Sequence, residues 1–354
     1  MSTDMFASHC NRPRSFESVG KVGRILVFAA FFLIPVVSPK ADQPSLGLPV
    51  DCRLGTDCWL VNLVDLDPTS KVRDYACGRH GYDGHKGTDI AIRDRRAMDR
   101  GVPVIAAAAG TVRAFRDGMA DRLPSAEFRK KRRNLYCGNG VVLTHADGWT
   151  TQYCHLRRHS VTVKRGQKVA KGDRLGYVGH SGMAEFPHIH LTVRHGKKVV
   201  DPFVGLGRKA ECGPGPRPLW SAAALEALAP PLTAIYNVGF APTKPKLSAI
   251  RKGLYQAPAL SRRAPALILW AEIFWVRPGD RLRLTIVGPD DAVITEYSND
   301  LPKHQARRMI FAGSKKKGLF WPAGSYQGTV VLERPAGNGP AQRFEASRRI
   351  VLKD

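Results

Sequence analysis

Two histidine-bearing stretches about a hundred residues apart constrain this 354-residue chain most: Gly84-His85-Lys86-Gly87-Thr88-Asp89 and His188-Ile189-His190. A histidine and a carboxylate four apart, and a His-x-His pair, are side chains that a divalent metal recruits. Zinc takes imidazole nitrogen and carboxylate oxygen readily. Gly87 and the β-branched Thr88 argue against a helix, so His85 is expected on a loop running into a strand over Asp89–Ile92. Even spacing in extended chain turns His85 and Asp89 to one face. The same period turns both imidazoles of His188-Ile189-His190, which leads into Leu191-Thr192-Val193, to one side. Each motif alone is weak, because a lone histidine is more often a surface or satisfied core residue. A third element, Tyr153-Cys154-His155-Leu156 on another expected strand, makes the set specific.

In this order, and separated by Gly-rich hairpins, H-x-G-x-D, Y-x-H-L and P-H-x-H resemble the lysostaphin-type (M23, LytM-domain) zinc metallopeptidases. The resemblance covers roughly residues 79–206 and includes Gly101-Val102-Pro103-Val104, Gly138-Asn139-Gly140-Val141-Val142 and Leu175-Gly176-Tyr177-Val178-Gly179. Spacing alone leaves open which histidine of the His188/His190 pair binds metal; four protein ligands would close the sphere, three leave room for water. The resemblance implies one zinc per chain held by His85, Asp89 and His190, with His155 and His188 as the catalytic pair flanking a metal-activated water. It implies a mainly β fold, with a peptidase sheet domain built on Gly-rich hairpins. The chain departs from the family pattern at Cys154, where a small residue is usual, at Phe186, where Gly is common, and at Thr192, where many members carry Glu. Of the remaining histidines, His180 in Gly179-His180-Ser181-Gly182 is the one expected near the groove; His80, His145, His159, His195 and His304 read as structural or surface residues.

Upstream, Ile25–Val37 is an uncharged apolar run preceded by Lys21 and Arg24. It is short for a bilayer span, which needs about 20 residues, but suits the core of a signal peptide. The sequence Ser38-Pro39-Lys40-Ala41 is a poor cleavage site, so residues 1–41 read as a signal peptide or as an uncleaved anchor to the inner membrane. Either way the protein is expected to be exported, periplasmic or secreted, with a membrane contact only if the segment is kept. Six cysteines follow the run, an even number that suits disulfides in an oxidising compartment. Cys52–Cys58, Cys77–Cys137 and Cys154–Cys212 are the expected pairs. Net charge is +25, and +22 remains without the five basic and two acidic residues of positions 1–41. Such a balance favours anionic partners, here envelope polymers. Arg129-Lys130-Lys131-Arg132-Arg133 carries no nucleic-acid fold signature, and no nucleic acid is expected as partner.

Residues 42–206 are read as the peptidase domain with its lead-in, 207–236 as a Gly/Pro-rich linker, and 237–354 as a smaller β-sandwich-like accessory domain of unassigned role. Ala146-Asp147-Gly148 marks a hairpin, the polar stretch from Asp117 to Tyr136 a rim beside the substrate groove, and Ala222–Leu228 a short helix. Trp270, Trp275 and Trp321 are either core residues or a glycan platform. The function implied is zinc-dependent endopeptidase action on the peptide stems of bacterial peptidoglycan. The alternatives are a non-catalytic wall-binding or hydrolase-activating module of the same fold, and an extracellular peptidase acting on proteins. A free thiolate beside His155 would compete for zinc, so Cys154 is expected to be disulfide-bonded. Alkylation under denaturing, non-reducing conditions, followed by peptide mass mapping, should leave Cys154 unlabelled; a stoichiometric label there would contradict the reading.

Overall fold

Strand formation follows the punctuation of the sequence. β-branched and aromatic residues fill short runs that Gly or Asp-Gly closes before a helix could nucleate. The computed structural model describes residues 43–131, 133–207, 212–229, 231–336 and 339–354, so the expectations for residues 1–41 lie outside the described residues. The first part carries β1 (Cys58–Asn62), β2 (Thr88–Ile92), β3 (Pro103–Ile105), β4 (Gly110–Arg116), β5 (Asn139–Thr144), β6 (Trp149–Leu156), β7 (Lys168–Val169), β8 (Arg174–Tyr177), β9 (His188–His195) and β10 (Lys198–Val199). One sheet runs in the order β1-β2-β9-β6-β5-β4-β7 with β10 on β9, and β3 pairs with β8 separately. The β5–β6 hairpin turns at Asp147 and Gly148, whose φ angles of 53° and 76° are those the Asp-Gly dipeptide tolerates. The fold is mainly β, as the sequence implies.

The core of this part lies under β2, β9, β6 and β5, where Ile90, Ile189, Leu191, Val141, Leu143 and Tyr153 are fully buried. Within the stretch read as a linker, Leu219, Trp220, Ala224 and Leu228 pack into this core. The expected helix forms at Ala222–Leu228, with Ser221 capping the amide of Ala224. The disulfides are Cys52–Cys58, Cys77–Cys212 and Cys137–Cys154. The last two correct the expected pairing. The β5–β6 register sets Cys154 opposite Gly140, within reach of Cys137. Cys212 comes to Cys77 because the amide of Gly213 donates to the carbonyl of Tyr75 at 2.8 Å. Cys154 is bonded, as expected.

The second part has β11 (Ala234–Ala241), β12 (Ala259–Ser261), β13 (Ala266–Val276), β14 (Arg281–Val287), β15 (Val293–Asp300), β16 (Gln305–Lys315), β17 (Gly324–Ala336) and β18 (Gly339–Lys353). They form a three-stranded sheet, β11-β13-β16, and a five-stranded one, β12-β18-β17-β14-β15. Alternating residues of both meet in one core: Leu267, Leu269, Ala271 and Ile273 from the first sheet, and Leu282, Leu284, Ile286, Val330 and Leu332 from the second. Trp270, Trp275 and Trp321 are all buried, which excludes a surface platform for glycans. The two parts share a third cluster, in which Trp59, Val61 and Ala91 of β1 and β2 pack against Tyr236, Phe274 and Trp275. No helix among the described residues is long and apolar enough to cross a membrane.

Asp201 follows β10 and is buried, and burial pushes its carboxyl up to about 7 from 3.8. The native state therefore holds a proton that the unfolded chain releases near pH 4. The sign is fixed: this group's contribution to stability is full below about pH 4 and is lost as pH rises through 7. The Asp201→Asn variant should lose that dependence, up to ~1.4 kcal/mol per pH unit over this window. Denaturant melts of both proteins at pH 4 and pH 8 measure it, and parallel pH profiles would refute the assignment.

Candidate metal centre

Strand register gathers the site. In the β2–β9 pair Asp89 stands directly opposite His190, and in the β6–β9 pair Cys154 stands opposite His190. Directly opposed residues share a face, so alternation alone would send His155 to the other side of the sheet. A bulge prevents this. β6 advances two residues, Cys154 to Leu156, while β5 advances one, and His155 is the extra residue at φ 65°. Its ring comes to 4.6 Å from that of His188 and 5.9 Å from that of His190. A second bulge lies in β1, where Leu60 pairs with Ile90 and Asn62 with Asp89, leaving Val61 as the extra residue. It turns Asn62 toward the site, and the Asn62 amide donates to Asp89 Oδ2 at 2.8 Å.

His85, Asp89 and His190 converge, with one ligand atom from each lying within 4.8 Å of the others. His85 Nε2 is 3.2 Å from Asp89 Oδ2 and 3.2 Å from His190 Nδ1, which is 2.7 Å from Asp89 Oδ1. A tetrahedral centre with bonds of about 2.0–2.1 Å has ligand edges of about 3.3 Å, so the donor set fits a zinc-sized ion. Outer contacts fix the rings. His85 Nδ1 donates to the Leu63 carbonyl at 2.7 Å, which leaves Nε2 as the inward lone pair, and His190 Nε2 lies 2.9 Å from Thr192 Oγ1. His188 Nδ1 donates to the Phe186 carbonyl and His155 Nδ1 to the Ser181 carbonyl, each at 2.8 Å. Both rings keep Nε2 uncommitted, and His188 Nε2 is 3.8 Å from Asp89 Oδ1.

Asp89 is 2 % exposed. Burial would raise its carboxyl, but the imidazoles of His85, His188 and His190 outweigh that and hold it well below the usual carboxylate range. At His85 burial pulls the imidazole down, and the neighbouring Asp89 carboxylate outweighs it and raises it. Burial depresses His155 far below 6.5 and lowers His188 as well. His180 is also buried, and burial pushes it down to about 4. Its amide donates to Asp121 Oδ1 at 2.7 Å, while Arg129 pairs with Glu185 at 3.2 Å. The 117–136 stretch is thus tied to the loop that precedes His188.

All five site residues read from the sequence meet in this one place. The departures from the family pattern acquire reasons too. Cys154 is bonded to Cys137, and Thr192 stands beside the His190 ring. Phe186 lies 4.8 Å from the His188 ring, 6.1 Å from Phe274 and under the Arg307 guanidinium at 4.5 Å. Asn62 and Ser181 escaped sequence reasoning, since no spacing marks a bulge at Val61 or a carbonyl as a partner.

Part of the chain is similar to known proteins. The family description "Peptidase family M23" matches residues 83–202. These residues form an M23 peptidase domain. Peptidoglycan DD-endopeptidase ShyA of Vibrio cholerae serotype O1 is 34% identical over 109 residues, 31% of this chain and 20% of that protein. Cell division protein DipM of Caulobacter vibrioides is 44% identical over 64 residues, 18% of this chain and 10% of that one. The chain therefore spans only a fifth or less of these curated relatives. Among solved structures, the catalytic domain of the prophage-encoded M23 protein EnpA from Enterococcus faecalis aligns over 47% of this chain and 98% of its own, at 23% identity and a TM-score of 0.31.

Gly87 in the first M23 motif is explained by contact. A Cβ there would sit 2.5 Å from His190 Nε2 and 2.6 Å from the Leu191 carbonyl. The Gly87→Ala variant should displace the His190 ring and weaken divalent-metal binding at least tenfold, a loss of about 1.4 kcal/mol. Equilibrium dialysis against zinc or cobalt(II) measures this, and unchanged affinity would show that His190 does not depend on the cradle.

Proposed function

We propose that this protein is an exported, zinc-dependent endopeptidase that hydrolyses peptide cross-links of bacterial peptidoglycan. The observation that carries the reading is the convergence of His85, Asp89 and His190 with the uncommitted Nε2 atoms of His155 and His188 beside them. The M23 domain and the peptidoglycan DD-endopeptidases among its relatives support the substrate class. The net charge of +25 supports attraction to an anionic envelope, where residues 25–37 serve as a signal core or as an anchor.

In this reading His85, Asp89 and His190 hold one zinc per chain. Bound there, zinc supplies Lewis acidity toward a carbonyl oxygen and acidifies water toward neutrality. The protein's own groups do the rest. Asn62 and the Leu63 carbonyl hold Asp89 and His85 in place. Nε2 of His155 or His188 accepts the proton of the attacking water as the C–O bond forms. An imidazolium at the same position returns a proton to the amine as the C–N bond breaks, and stabilises negative charge on the carbonyl oxygen before then. The Ser181 and Phe186 carbonyls fix the tautomer that leaves Nε2 free for this exchange.

Metal holding and proton transfer separate by mutation. His190→Ala and Asp89→Ala should each lose zinc and activity together. His155→Ala should keep near-stoichiometric zinc and lose about 10²–10⁴ in rate. The assay incubates the full chain with purified sacculi and identifies the opened amide bond by mass spectrometry. Zinc lost from His155→Ala but retained by His190→Ala would reverse the assignment. Stoichiometric zinc in the unmodified protein without cleavage of any wall would favour a regulatory wall-binding module.

A further inference from the structure

We infer that Trp275, in the accessory part, is a positioning residue for the metal centre. This role rests on the zinc-site reading above and starts at the Val61 bulge. With regular pairing Val61 would stand opposite Asp89 and Asn62 would point to the other face. The bulge sets Asn62 opposite Asp89 instead, so that its amide reaches the carboxylate. The bulged residue is held from outside its own sheet. The Trp275 indole N–H donates to the Val61 carbonyl at 2.5 Å across 214 residues of sequence. Leu63, two residues on, accepts from His85 Nδ1. One indole thus fixes the three-residue segment that supports two of the three metal ligands.

Trp275 is itself held in an unusual state. Its φ of 52° is left-handed, a conformation bulky residues rarely adopt and keep only where their surroundings impose it. The imposing groups are buried. The Trp275 carbonyl accepts from Thr233 Oγ1 at 2.9 Å and from Arg334 Nη2 at 3.0 Å. Arg334 is anchored by two hydrogen bonds of 2.8 Å to the carboxylate of Asp280 and donates to Thr233 Oγ1 at 2.7 Å. A buried ion pair and a hydroxyl therefore converge on one backbone carbonyl, and the rotated backbone aims the ring at β1. On the other side His80, bonded to Asp74 at 2.8 Å, meets the indole edge-on at 5.1 Å. Packing alone would need none of this, because an aromatic ring without a donor would fill the same cluster.

Trp321 supplies the control. It is buried in the same accessory part, and its indole N–H donates to the Ala264 carbonyl at 2.9 Å, within that part. In the full chain, zinc affinity by competition with a chromophoric chelator and melting temperature are measured for Trp275→Phe and Trp321→Phe. Outer contacts to metal ligands are worth about 10–100-fold in affinity. Trp275→Phe should raise the zinc dissociation constant at least tenfold, while Trp321→Phe keeps it unchanged although both lower the melting temperature. With Asn62→Ala added to Trp275→Phe, the further loss should be much smaller than Asn62→Ala causes alone, since both act through one segment. Should Trp275→Phe not fold, Thr233→Val takes its place with the same direction of change. Wild-type zinc affinity in Trp275→Phe, equal weakening in Trp321→Phe, or additive effects with Asn62→Ala overturns the inference while leaving the endopeptidase reading intact. An unmodified chain that binds no zinc overturns both.

Discussion

A carboxylate taken out of water needs compensating charge or hydrogen bonds close by, and the arrangement around Asp89 is the consequence of that requirement. Three imidazoles and one amide surround it, drawn from β1, β9 and the loop before β2. None of these partners is near it by accident of sequence. Asn62, His188 and His190 arrive through antiparallel register, His85 on the loop before β2, and the Asp89–His190 pairing is the fixed point from which the strands are measured. A one-residue slip would turn these strand side chains to the wrong face.

Regular strands alone would not complete the site. Period-two alternation gives His190 and Asp89, but it would place His155 and Asn62 on the opposite side. In both cases a single extra residue breaks the alternation locally while the flanking ladder continues. Such a defect leaves backbone groups without their ordinary partners, and each bulge has a specific remedy. The His155 amide donates to the Cys137 carbonyl at 2.8 Å, next to a disulfide, and the Val61 carbonyl takes the Trp275 indole.

The candidate site residues were legible in sequence because their motifs together resemble one peptidase family. Strand spacing places His188 and His190 on one face, whereas His85 stands on a loop and His155 in a bulge. The strands were legible from Gly and Asp-Gly punctuation. Disulfide pairing was not, because Cys137 and Cys154 meet through a hairpin register and Cys212 returns to Cys77 over 135 residues. The contacts of Asn62 and Trp275 were not legible for a similar reason. Their part depends on one inserted residue and one positive φ, neither of which leaves a compositional trace.

The length of chain between Val61 and Trp275 bears on when the centre is completed. A ribosome delivers the peptidase strands first and Trp275 more than two hundred residues after the bulge it clamps. Arg334, which fixes Trp275, comes later still. Without those residues Asn62 and Leu63 lack this contact, although His85, Asp89 and His190 are already present. A chain cut between His190 and Trp275 therefore carries the full motif set without the indole that holds the Val61 bulge.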